Sequence, residues 1–117
     1  MSGPKRYAYS ICLAFLFFAG CSHQWEITVE NRNIAPCNFS VQTATGNAQG
    51  EAHVEGVATG KKLTLLAGEG TTTVTSIKVT RDNKEQTLEP KQPLSAGQTY
   101  VITVAPDGKI QTSVSGS

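Results

Sequence analysis

"YVITVAPDGKIQTSV", residues 100–114, carries the reading of the fold. Tyr100, Ile102 and Val104 alternate with Val101 and Thr103, and Ile110, Thr112 and Val114 repeat that spacing beyond Ala105-Pro106-Asp107-Gly108. A period of two places alternate side chains on one face of a strand. Between the runs, proline presets the first turn residue, aspartate caps the turn and glycine accepts a positive φ. The stretch therefore predicts a β-hairpin with one apolar face, and makes Gly108 a structural residue of its turn.

The same alternation recurs toward the N-terminus. Trp25, Ile27 and Val29 alternate with Glu26, Thr28 and Glu30; Cys37, Phe39 and Val41 share a second phase; Ala52 and Val54 alternate with Glu51, His53 and Glu55. Leu63 and Leu65 mark a further strand, ended at Ala67-Gly68-Glu69-Gly70. From Thr72 to Thr80 the phase changes, with Val74 even and Ile77 and Val79 odd, which predicts a bulge near Thr75-Ser76. Asp82-Asn83 reads as a turn into a short return strand over 84–88, and Pro90 and Pro93 keep the next segment out of a sheet interior. Helical periodicity is absent. Seven or eight short strands with regular turn signals predict an all-β protein, an antiparallel β-sandwich.

"LSAGQTYVITV", residues 94–104, narrows the choice. Leu94 stands six positions before Tyr100, with Gly97 in the bend. This resembles the tyrosine corner of fibronectin type III and related immunoglobulin-like domains. The resemblance implies an immunoglobulin-like sandwich in which Tyr100 opens the penultimate strand and its hydroxyl bonds back to the main chain. Leu94 and Tyr100 are then structural residues. The tryptophan that this family buries on its second strand has no counterpart, because Trp25 begins the first strand.

Ahead of the predicted domain, MSGPKRY carries Lys5 and Arg6, and 8–18 (AYSICLAFLFF) is uncharged and mostly apolar. A positive start, a short apolar run and small residues make a secretory signal. The run is too short for a span, which needs ~20 apolar residues. Phe18-Ala19-Gly20-Cys21 resembles a bacterial lipobox, with Phe where Leu is commoner. That resemblance implies a signal peptide over 1–20, cleavage before Cys21, a diacylglycerol thioether on its sulfur and an acyl chain, such as palmitate, on the new N-terminus. Several chains anchor firmly where one anchors marginally. Ser22 is not the aspartate of an inner-membrane retention signal, so the outer membrane is the expected location. Ordinary cleavage near Ala19 or Cys21, releasing a soluble protein, is the alternative. Residues 21–24 form a short tether and 25–115 the domain. The tether spans at most ~14 Å at ~3.3–3.6 Å per residue, which would hold the domain against the bilayer with Trp25 at the interface.

Cys12 would leave with the signal and Cys21 would be acylated, leaving Cys37 as the one free thiol. Without acylation, a Cys21–Cys37 bridge is open. Cys37 shares the phase of Phe39 and Val41, which predicts a buried small hydrophobe.

The formal net charge is +1, but beyond the signal eight basic residues face nine acidic ones. This balance supplies neither a nucleic-acid footprint nor a polybasic membrane patch. No G-x-S-x-G elbow occurs, and Gly56-Val57-Ala58-Thr59-Gly60-Lys61 is one residue short of a phosphate loop. Glu51, His53 and Glu55 share one strand face, yet residues i and i+4 lie ~13 Å apart along a strand, too far for one ion. A cupredoxin would need a Cys, two His and usually a Met; no Met lies beyond Met1, and His23 sits at the tether. Asn38-Phe39-Ser40 matches a glycosylation sequon by coincidence, since Phe39 is predicted buried.

The expectation is a lipid-anchored envelope protein, not an enzyme and without a cofactor, acting as a binding or structural module. Its partners would be the membrane, through Cys21, and an envelope protein, received at a sheet edge, at the threonine-rich 71–75, or at loops 47–50 and 68–70. The alternative is a metal-dependent or thiol-based activity using His53 with Glu51 and Glu55, or Cys37.

Overall fold

The computed structural model describes residues 24–116. The expected signal peptide and lipobox-like stretch, with Cys21, Ser22 and His23, lie outside the described residues. Among the described residues nine strands follow one another without a helix: β1 (Gln24–Asn31), β2 (Cys37–Thr45), β3 (Ala48–Val57), β4 (Lys62–Glu69), β5 (Thr72–Arg81), β6 (Lys84–Leu88), β7 (Gln92–Leu94), β8 (Thr99–Val104) and β9 (Ile110–Ser115).

They form two sheets. The first runs β9-β8-β1-β4; the second runs β3-β2-β5-β6, with the short β7 also paired to β5. The sandwich expected from the alternation is what forms, with two differences. Gln92-Pro93-Leu94 adds a ninth, edge strand, a place that proline tolerates. The sandwich is also not wholly antiparallel, because β8 runs parallel to β1, with Ile27 opposite Tyr100 and Val29 opposite Ile102. A period-two pattern reports which face is buried and carries no information on the direction of the neighbouring strand.

The inward stripes meet between the sheets. Ile27, Val29, Tyr100, Ile102 and Val104 of the first sheet close on Phe39, Val41, Val74, Ile77, Val79 and Leu94 of the second. Each such side chain contributes about 1.5–3 kcal/mol on burial. Trp25 belongs to this core and is 5% exposed, which corrects its expected place at a membrane interface. Its ring packs against the neighbouring strand instead of projecting from the end of the sandwich.

Three bulges keep these stripes in phase. Gln42 opposes Ser76 while Thr43 opposes Val74, so Thr75 is the extra residue on β5 that the phase change predicts. Its hydroxyl donates to the Gln42 carbonyl at 3.1 Å. On β4, Leu66 opposes Ile27 and Thr64 opposes Thr28, leaving Leu65 as a second, unpredicted insertion. On β3, Gly56 takes φ +68° and donates its N–H to the Asn38 carboxamide oxygen at 2.8 Å.

The turns follow their residues. Asp82 and Asn83 both have positive φ, 52° and 62°, as a two-residue hairpin loop requires. At the β8–β9 turn, Gly108 takes φ +90°. Its N–H donates to the Ala105 carbonyl at 2.8 Å, and Asp107 accepts from the Lys109 N–H at 3.0 Å.

Strand directions give the sandwich two unlike ends. Gln24 starts β1 beside the β7–β8 connection, where the Gly97 N–H donates to the Gln24 carbonyl at 3.1 Å. At the other end of β1 lie the connections 32–36, 58–61, 82–83 and 105–109.

Candidate functional site

The far end is organised by two asparagines that the sequence presents only as part of a turn. Asn31 closes β1 and is fully buried. Its Nδ2 donates to the Ala35 carbonyl at 2.9 Å and the Val57 carbonyl at 2.8 Å, while its Oδ1 accepts from the Asn33 N–H at 2.8 Å. Asn33, also buried, donates through Nδ2 to the carbonyls of Ala105 (3.2 Å) and Pro106 (3.0 Å) and accepts from the Ala35 N–H at 3.0 Å. Thr59 Oγ1 donates to the Asn33 carbonyl at 2.7 Å.

Only a carboxamide supplies two donors and an acceptor in so small a group. The network joins the connections 32–36, 58–61 and 105–109 into one hydrogen-bonded unit. At its tip Ile34 is 90% exposed. The spacing Asn-x-Asn directly after a strand was the available signal, since asparagine bonds main chain two residues on.

The acidic and histidine side chains of β3 occupy the outer face of the second sheet. His53 Nε2 meets Glu55 Oε2 at 3.0 Å, with both side chains more than half exposed. Glu51 stands opposite Gln42 and does not join that pair. No group of three His, Cys, Asp or Glu side chains that could hold a metal ion forms among the described residues.

Beside Glu51 the Thr75 bulge opens a shallow depression of about 420 Å³, lined by Gln42, Ala44, Gln49, Gly50 and Thr75 among others. Its polar side chains are two amides, two threonine hydroxyls and the Glu51 carboxylate, and no aromatic ring lines it. It gathers Thr75 with Gln49 and Gly50, which belong to strand β3 and not to the loop expected at 47–50. The third expected contact region, 68–70, ends β4 in the other sheet.

Cys37 is a free thiol, fully buried in the core. Burial pushes its pKa up from the ordinary 9.0; Arg81 opposes this and Asp82 adds to it, but burial is the largest influence. A buried, protonated thiol is a poor nucleophile. Cys21, its partner in the alternative bridge, lies outside the described residues.

The remaining expected structural residues lie inside the fold. Leu94 is fully buried at the end of β7, opposite Thr72. Tyr100 is buried on β8, but its hydroxyl makes no hydrogen bond to main chain among the described residues, which departs from the tyrosine corner that the spacing resembles. The face of Gly108 is covered by the Arg81 guanidinium, which a Cβ there would strike. Searches with the sequence found no matching family model and no matching curated protein.

Proposed function

We propose that the chain is a small lipid-anchored module of a bacterial envelope, fixed to the membrane through Cys21 and acting by binding rather than by catalysis. The outer membrane is the favoured location. One observation carries the reading. The end of the sandwich remote from Gln24 is a solvent-facing surface whose connections are hydrogen-bonded together through Asn31 and Asn33, with Ile34 exposed at its tip.

A tether at residues 21–24 would leave this end pointing away from the bilayer. Ile34 adds nothing to the core, so the loop is built around an apolar group that faces outward. Catalysis draws less support: Cys37 is buried, and Glu51 stands apart from the His53–Glu55 pair. A partner protein in the envelope is the ligand class that this surface suits.

Two measurements test the reading. Intact mass should give a mature species beginning at Cys21 and carrying acyl mass, and Cys21→Ser should move the protein out of the membrane fraction. A species without acyl mass, or a Cys21→Ser protein still in membranes, defeats the anchor. A photo-crosslinking residue at position 34, used in whole cells, should give a discrete adduct. No adduct from any position of the chain defeats the binding role.

A further inference from the structure

Four edges bound the two sheets, and three of them carry the features that prevent strand addition. β3 bears Glu51, Glu55 and the Gly56 bulge; β4 bears Lys62, Glu69 and the Leu65 bulge; β6 and β7 bear Lys84, Glu85 and Pro93. β9 bears none. Ile110-Gln111-Thr112-Ser113-Val114-Ser115 has no charge and no proline, and it pairs with β8 in unbroken register. Its outer edge has no partner strand among the described residues.

The side of the sandwich that contains this edge is also left open. β3 and β4 are consecutive and adjoin each other on one side, so β9 and β6 border the other. Thr112 and Val114 stand opposite Ile102 and Tyr100 and point the same way, toward the core, yet both are exposed, Val114 by 36%. Leu88 on β6, opposite the buried Ile77 of β5, is 37% exposed. At the far end the gap is closed, because Arg81 lies over Gly108. Inward-facing apolar side chains on both sheets therefore run out at one seam, next to the one unprotected hydrogen-bonding edge.

We infer that β9 receives an extended, uncharged segment of another protein as an additional strand, with apolar residues at alternate positions covering Val114 and Leu88. This rests on the binding-module reading and names the surface and the chemistry of its partner. The edge spans six residues, about 20 Å at ~3.4 Å per residue. β9 selects an uncharged segment, because it offers no side chain of opposite charge to an ionic group placed against it; Lys84, in phase with Leu88, lies at the closed Arg81 end. A second copy is the poorer occupant. Two-fold pairing of β9 with β9 would be antiparallel and would put the two Gln24 ends at opposite ends of the pair, where one membrane surface could not hold both tethers.

The test places a photo-crosslinking residue at Gln111 of the full chain, with Ile34 and His53 as comparison positions, in whole cells. Gln111 should yield one adduct, joined to a segment without charge and with apolar residues at every second position. Thr112→Lys in the same protein should reduce its yield at least about tenfold, the consequence of a charge left in the strand interface. Circular dichroism of the purified variant checks that it remains folded, and Thr112→Val should retain the adduct if it does not. An adduct of two copies of this chain, or equal labelling from His53, overturns the proposal. Adducts from position 34 but none from 111 overturn it while leaving the binding module intact. None from any position removes both.

Discussion

Trp25 on β1 stands opposite Gly68 on β4, and its indole fills the space that a side chain at 68 would need. A Cβ there would lie 2.5 Å from Trp25 Cζ2. The glycine is required by its neighbour, not by its own backbone, since its φ is not in the positive region. The ring in turn covers a stretch of main chain that would otherwise face an empty patch of sheet.

Gly68→Ala should therefore destabilise the domain by about 1–3 kcal/mol, the usual cost of overpacking a filled site. Urea denaturation followed by fluorescence measures this directly, because Trp25 is the only tryptophan in the chain. A change below a few tenths of a kcal/mol would mean that the indole moves aside freely.

Asn31→Ala should cost more than Asn33→Ala. Removing the Asn31 carboxamide leaves the Val57 carbonyl and the Asn33 N–H without partners in buried surroundings. At about 1–3 kcal/mol for an unsatisfied buried group, a loss of about 2–4 kcal/mol is expected. Asn33 serves the more open Pro106 carbonyl and the partly buried Ala35 N–H, so water can replace part of its network. Chemical denaturation of both variants gives the order.

The Cys37 thiol makes stability fall in alkaline solution. Its folded-state pKa is raised above the ordinary 9.0, chiefly by burial. Near and above that pH the unfolded chain loses the thiol proton while the folded one keeps it, so the unfolded state gains. The contribution is complete below the unfolded pKa and is lost as pH rises through the folded one. The stability of the native protein relative to Cys37→Ala should thus decline from about pH 8 upward, read from denaturation midpoints at a series of pH values. A constant difference would contradict it.

Asn83→Gly should stabilise. Asp82 and Asn83 both adopt positive φ, and Asp-Gly is a preferred pair for a turn of this kind. Relief of the left-handed strain should raise stability by a few tenths to about 1 kcal/mol, measurable as an increased thermal midpoint.

The parts of the fold legible in the sequence were those governed by local alternation and turn chemistry. Val74 and Ile77 share a face only if a residue is inserted between them, and Thr75 is that residue. The Pro106-Asp107-Gly108 turn forms as its residues dictate. Leu65-Leu66 concealed its bulge because either leucine satisfies an inward position. The Asn31-x-Asn33 spacing signals only the main-chain bonds two residues on; the burial of both side chains depends on carbonyls at Val57, Ala105 and Pro106, distant in the chain. The seam beside β9 was equally hidden, because it depends on which strands come to border each sheet.

The parallel pairing of β8 with β1 bears on when the protein can fold. Glu30 meets Thr103 across a separation of 73 residues, and β1 lies between β8 and β4 with no other strand to fill that side. During synthesis, β1 must wait until nearly the whole domain has been made before half of its main chain finds partners. Such distant contacts slow folding. The second sheet, built from residues 37–94, can assemble earlier, whereas the first closes only when the last hairpin arrives to pair with β1.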